Sequence, residues 1–168
     1  MLDLENTIKT KHIKWIEKIV NSETEEWNVI GKQWLQKLDN DYKETNFILK
    51  CSDVRIADLE KLPKYYQEAI QSWAEIQKYR NITSRHQILD ENLFGNDKIQ
   101  YRNRPIYFKN WAKSEITKIS HIWEDQNWKR TEKILDKLDD KRNWIHDYTI
   151  LRQAIPFTWR KLLRVRTK

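Results

Sequence analysis

The residues with the clearest capacity for chemistry are cationic and aromatic side chains that alternate in a stretch without carboxylates. This stretch runs from residue 101 to residue 111, and its cations are Arg102, Arg104 and Lys109. Its aromatic residues are Tyr101, Tyr107, Phe108 and Trp111. Single-stranded nucleic acid is often bound by such sequences, because aromatic faces stack on bases while cations follow the phosphates. The alternative is that the aromatic residues point inward and form core, and the sequence pattern leaves both interpretations open.

A second cationic stretch lies at the C-terminal end of the chain. Of the net charge of +7, six positive charges fall between residues 152 and 168, where there is no carboxylate. The rest of the chain is therefore nearly neutral. Such a tail predicts contacts with phosphates, and the cations expected to make them are Arg152, Arg160, Lys161, Arg164 and Arg166. A solvated terminal helix would show the same pattern of charge.

Catalytic and metal-binding residues form no recognisable motif. The four histidines are scattered and Cys51 has no second cysteine nearby, whereas a zinc site needs several ligands at close spacing. Two glycines are too few for a phosphate-binding loop. Adjacent carboxylates such as Asp139 and Asp140 lie in hydrophilic stretches that would not hold metal ions rigidly. We therefore expect no enzymatic activity, no metal and no cofactor.

Composition and periodicity predict a mainly α-helical fold. Only two Gly and three Pro interrupt the chain, which favours helices over a turn-rich sandwich. One small β-hairpin is expected near residues 98–109, because apolar and polar residues alternate there on both sides of Arg102–Arg104. The expected architecture is a single irregular multi-helix domain of residues 1–168. It can divide into lobes at 1–80 and 81–168, with a basic tail at 152–168.

Apolar residues spaced three and four apart predict where the helices lie. The apolar stripes cover residues 4–19, 27–38, 66–76, 144–155 and 159–163, with one or two short helices between residues 111 and 123. Pro63 suits the first turn of a helix, and Pro156 should end one. The predicted N-caps are Asp3, Ser52 or Asp53, Ser84 and Thr131.

The expected location is inside the cell, in the cytoplasm or the nucleus. A lone cysteine, Cys51, cannot form an internal disulfide framework. The sequence also has no apolar run of about 18 residues, the length that a membrane-spanning helix needs. No membrane partner is therefore expected.

Five blocks of sequence, in order, resemble the C-terminal region of non-LTR (LINE-type) retrotransposon polyproteins, downstream of the reverse-transcriptase core. The blocks are Leu2–Glu5 with Ile13–Ile16, Leu62–Tyr66 with Ala69–Trp73, Ile88–Leu89 with Asn92–Ile99, Ile106–Trp111, and Tyr148–Pro156 with Trp159. Together they span nearly the whole chain. The glycine-bearing turn that family members have near Gln126–Asn127 is absent from this sequence.

The resemblance implies that this chain is the truncated post-thumb region of such a reverse transcriptase. The aspartates that polymerise would lie upstream, so this region would not be catalytic itself. It would form a helical extension that helps to hold template RNA or target DNA. The alternative is a structural or protein-interaction domain that docks on the polymerase core and binds no nucleic acid of its own.

Overall fold

The fold is mainly helical, as the sequence predicts, and contains two small antiparallel hairpins. We describe it from a computed structural model, which covers residues 10, 11, 13, 14, 16, 17, 33–38 and 47–165. Contacts divide the chain into two compact units, with residues 47–80 in one and residues 81–165 in the other.

The first unit is built around a short helix that packs on a long one. Helix α1 is Phe47–Lys50, a 3-10 turn follows at Leu59–Lys61, and helix α2 is Lys64–Gln77. Pro63 is the N-cap of α2. The indole N–H of Trp73 on α2 donates to the carbonyl of Leu49 at 2.7 Å, which fixes the two helices against each other. Their buried apolar residues are Phe47, Ile48, Leu49, Ala69, Ile70 and Ala74.

The helices predicted at residues 4–19 and 27–38 lie largely outside the described residues, and the predicted N-cap Asp3 lies outside them entirely. The parts that are described, which include residues 33–38, are helical. Ile16 and Leu35 are buried there, as the apolar stripes predict.

The prediction that Ser52 or Asp53 caps a helix is wrong. The chain bends through residues 51–57, and both side chains are buried. Burial alone would raise the pKa of the Asp53 carboxyl. Hydrogen bonds from the Arg55 guanidinium and backbone N–H, the shortest at 2.6 Å, outweigh burial and lower that pKa. The Asp53 carboxylate therefore accepts hydrogen bonds from Arg55 within a turn and does not cap a helix.

The second unit begins with helix α3, Arg85–Leu89, and continues through a hairpin to helix α4. Ser84 caps α3 as predicted, because its hydroxyl accepts from the Gln87 N–H while the Gln87 side chain accepts from the Ser84 N–H. The hairpin pairs strand β1, Gln100–Tyr101, with strand β2, Arg104–Pro105, so it is shorter than the predicted span. Helix α4 is Lys109–Lys113.

A second hairpin, which the sequence did not predict, follows the segment in which one or two short helices were expected. After a 3-10 turn at Ile119–His121, strand β3, Trp123–Glu124, pairs with strand β4, Asn127–Trp128. The spacing of Ile119, Ile122 and Trp123 looks helical, yet these side chains are buried around a tight turn. A turn therefore forms beside Gln126–Asn127 although this sequence lacks the glycine of the family there. Asp125 adopts the positive φ, 55°, that the turn needs.

Three helices complete the unit and add buried apolar residues to its core. They are α5 at Thr131–Lys137, α6 at Trp144–Ala154 and α7 at Phe157–Leu163. Thr131 is the first residue of α5, one position after the N-cap, so its predicted capping role is wrong. Helix α6 stops before Pro156, as predicted, and Trp111 of α4 contacts Tyr148 of α6 at the centre of the core.

Candidate nucleic-acid interface

Helix α7 presents a cationic face that includes one exposed aromatic ring. Trp159 and Leu163, four residues apart, are buried, and α7 packs against α3. The opposite side carries residues at positions i, i+3, i+4 and i+7, which share one face of a helix. These residues are Phe157, Arg160, Lys161 and Arg164. We call them the α7 stripe.

The α7 stripe is only partly open to solvent, because Arg160 is half-buried and its Nε is shielded from water. Among the described residues, no acid forms an ion pair with its cations. The Phe157 ring is 68% exposed, although large apolar side chains are usually covered. The guanidinium of Arg160 lies over this ring, 5.7 Å from its centre. Lys161 and Arg164 are exposed. The three cations were predicted from the sequence, whereas Phe157 was not, although it lies three, four and seven residues before them on the same helical face.

The tip of the first hairpin carries a second group of cations with an exposed aromatic residue. Arg102 and Asn103 form the two-residue turn, with φ of 53° and 63°. Arg104 is exposed and pairs in register with Tyr101, which is 40% exposed. The Arg102 guanidinium lies 5.2 Å from the centre of the Tyr101 ring.

The other aromatic residues between 101 and 111 pack inward, with Trp111 fully buried and Tyr107 and Phe108 half-buried. Tyr107 and Phe108 meet the ring of Phe94 edge to face, with centroids 6.0 and 6.1 Å apart. Trp111 is fully buried, and its centroid lies 5.9 Å from that of Tyr148. The core interpretation therefore holds fully for Trp111, in part for the half-buried Tyr107 and Phe108, and not for the exposed Tyr101.

Lys109 lies apart from these two groups of residues, in an open cleft of mixed charge. The cleft has a volume of about 550 Å³ and is lined by Lys109, Asn110, Lys113, Asp139, Asp140, Arg142, Asn143 and Asp147. Hydrogen bonds from Arg142 lower the pKa of Asp140 to about 2. Burial raises the pKa of Asp147, and the indole of Trp111 offsets part of that effect. Positive and negative side chains face each other here, so the cleft offers phosphates no net positive field.

Arg152 is held within its own helix. Its guanidinium stacks on the Tyr148 ring at 4.5 Å, and its Nε–H donates to the Tyr148 carbonyl at 3.4 Å. Tyr148 is itself buried, which raises its pKa to about 12, and its hydroxyl donates to the carbonyl of Lys129 at 2.6 Å. Arg152 thus supports the packing of α6, while Arg166 lies outside the described residues.

The remaining candidates for chemistry serve local structure. His121 accepts backbone N–H groups of Thr117 and Lys118 through Nδ1, at 3.0 and 3.1 Å. The buried Cys51 thiol donates to the carbonyl of Phe47. Within the described residues, no three metal-ligating side chains come together. In the same residues, no helix combines the length and the apolarity that crossing a bilayer requires.

Comparison with known proteins adds no relative from which a function could be carried over. The chain matches no family model, no curated protein and no solved structure.

Proposed function

We propose that this chain binds nucleic acid, as RNA or single-stranded DNA, and does so weakly and without catalysis. In this proposal it is the helical region downstream of the polymerase core in a LINE-type reverse transcriptase, the class that its sequence resembles. The single observation that supports binding most directly is the α7 stripe. An exposed ring flanked by cations on one helical face suits a strand with accessible bases and phosphates.

The dimensions of the α7 stripe explain why binding should be weak. At 1.5 Å rise per residue, Phe157 and Arg164 lie only about 10 Å apart along the axis, so few nucleotides can touch the stripe at once. Three cations then release few counterions from the strand. Both the affinity and its dependence on salt should be correspondingly small.

The test is to neutralise the stripe and to follow the salt dependence of binding. In the variant Arg160→Gln, Lys161→Gln, Arg164→Gln, the slope of log K against log salt for single-stranded RNA should fall by about 2, since each lost phosphate contact removes about 0.7. Fluorescence anisotropy of a labelled oligonucleotide measures both affinity and slope.

The matched control removes three exposed lysines elsewhere, with Lys61, Lys64 and Lys137 replaced by Gln. It has the same net charge as the stripe variant. If both variants lose the same affinity, binding depends on net charge and not on the α7 stripe. If the unmodified chain fails to bind RNA at low salt, the proposed function is wrong.

The second candidate function is docking on a polymerase core through apolar contacts. Two observations favour it, because Tyr79 is 88% exposed in the turn after α2 and Ile145 is 63% exposed at the start of α6. Light scattering distinguishes the candidates. Self-association without nucleic acid that Tyr79→Ser and Ile145→Ser abolish would favour docking, since exposed apolar surfaces drive association.

A further inference from the structure

The tip of the first hairpin differs from an ordinary structural turn. A two-residue turn with positive φ at both positions suits glycine or asparagine, and other residues cost about 1–2 kcal/mol in this conformation. Arg102 occupies the first of these positions with φ of 53°. The chain therefore keeps a cationic side chain at the tip despite the cost in backbone energy.

The second hairpin of the molecule shows what a purely structural hairpin looks like. Its Trp123 packs edge to face on Trp128, with centroids 4.7 Å apart. The carbonyl of Asp125 at its tip accepts from Arg85 at 2.6 Å, and Glu124 pairs with Lys133 at 2.6 Å. Contacts with α3 and α5 thus fix the tip of the second hairpin, and this tip carries the acidic residues Glu124 and Asp125.

The first hairpin, in contrast, has an exposed tip that carries cations. Strand β1 contacts α6, which gives the hairpin a fixed base. Tyr101 directs an exposed ring outward with the Arg102 guanidinium already over it, and the exposed Arg104 lies opposite in register. The sequence has no carboxylate from Lys98 to Ser114, so nothing in that segment neutralises these cations.

We propose that this hairpin tip stacks one unpaired nucleobase and thereby gives the chain a preference for single strands over duplexes. The base extends the Tyr101–Arg102 stack, and Arg104 contacts the adjoining phosphate. A paired base inside a duplex exposes only its edges, so its face cannot reach the tip. The inference deepens the proposed function and rests on it, because the α7 stripe supplies sequence-independent attraction to phosphates.

The experiment compares three probes of equal length: an oligodeoxyadenylate, an abasic strand with the same phosphates, and a duplex. Tyr101→Ala should weaken binding to the oligodeoxyadenylate about tenfold, which corresponds to the loss of one stacked base. It should leave binding to the abasic strand and the duplex unchanged. Tyr101→Phe should keep the affinity of the original chain, because it retains the ring.

Tyr79→Ala is the matched control, since it removes an exposed tyrosine from the other compact unit. It should change none of the three affinities. If Tyr101→Ala weakens all probes equally, or none, the stacking proposal is overturned while the proposed function stands. If the original chain binds none of the probes at low salt, the proposed function itself fails. Thermal unfolding of each variant confirms that the affinities are measured on folded protein.

Discussion

Three arginines of the second compact unit lie over aromatic rings, and their surroundings give them different roles. Arg102 and Arg160 stack on rings that are substantially exposed, so a ligand can reach the pair. Arg152 stacks on buried Tyr148 and donates to its carbonyl. The same residue type can therefore form an interface in one place and support packing in another. From the sequence, Arg152 and Arg160 were assigned to one basic tail. The sequence gives the charge of each residue but not the aromatic ring that its guanidinium contacts.

Replacement of Arg152 separates these two roles. Arg152→Ala should lower the free energy of unfolding by about 1–2 kcal/mol, since it removes a partly desolvated cation–π contact and a hydrogen bond. RNA affinity should stay unchanged. Urea denaturation and anisotropy measure the two quantities.

Arg104→Ala is the converse control, because Arg104 is exposed at the hairpin tip. It should weaken binding and leave the free energy of unfolding unchanged within about 0.5 kcal/mol. If Arg152→Ala reduces affinity as strongly as Arg104→Ala does, Arg152 belongs to the interface after all.

Among the helices and hairpins, the features that local sequence determines could be predicted, whereas those that depend on tertiary contacts could not. The Ser84–Gln87 capping box and the stop of α6 before Pro156 follow from neighbours in the sequence, and both are observed. The second hairpin depends on Arg85, which lies forty positions before the Asp125 carbonyl that it contacts. Local spacing cannot reveal such a contact, so this hairpin was not predicted and its first residue, Trp123, was assigned to a helix.

Exposed apolar residues were hidden from the sequence for a similar reason. Ile76 and Leu162 continue apolar stripes, and the stripes predict that both are buried, yet each is partly exposed. A helical period shows which face turns inward. It does not show how far a neighbouring element extends along that face. The α7 stripe could be predicted only in part. Its cations follow the helical period, but its aromatic residue, Phe157, has the type of side chain that is usually buried in a core.

The turn of the first hairpin should show a conflict between stability and binding. Arg102→Asn should raise the free energy of unfolding by up to about 1 kcal/mol, because asparagine tolerates positive φ better than arginine. It should also weaken binding to single strands, since it removes the guanidinium above Tyr101. Urea denaturation and anisotropy again give both quantities. A variant that loses stability would show that the Arg102–Tyr101 contact outweighs the backbone cost.

At the scale of the whole molecule, both candidate contact surfaces lie in the compact unit that contains residues 81–165. The predominance of helix was predictable from the scarcity of glycine and proline. These residues mark turns and interrupt helices, so a chain with few of them favours helices over a turn-rich fold. Both cationic stretches already lie after residue 80 in the sequence, at which the possible lobes were divided. Which of their side chains reach the surface could not be predicted, because it depends on which segments contact each other.

A chain of residues 81–168 should therefore fold cooperatively and bind single-stranded RNA with an affinity comparable to that of the full chain. Its core includes the contact of Trp111 with Tyr148, which lies entirely within this segment. Circular dichroism during heating tests folding, and anisotropy tests binding. A folded fragment without affinity would move the interface to the residues before position 81.

The edge-to-face pair of Trp123 and Trp128 also gives the molecule an optical property. Two indoles with centroids 4.7 Å apart and planes at 86° couple their electronic transitions. Such coupling produces neighbouring circular-dichroism bands of opposite sign, and the signal vanishes when the rings separate. Opening of the second hairpin can thus be followed by circular dichroism without any added label. Its rings belong to neither proposed contact surface, so the same signal can be followed while a nucleic acid is titrated.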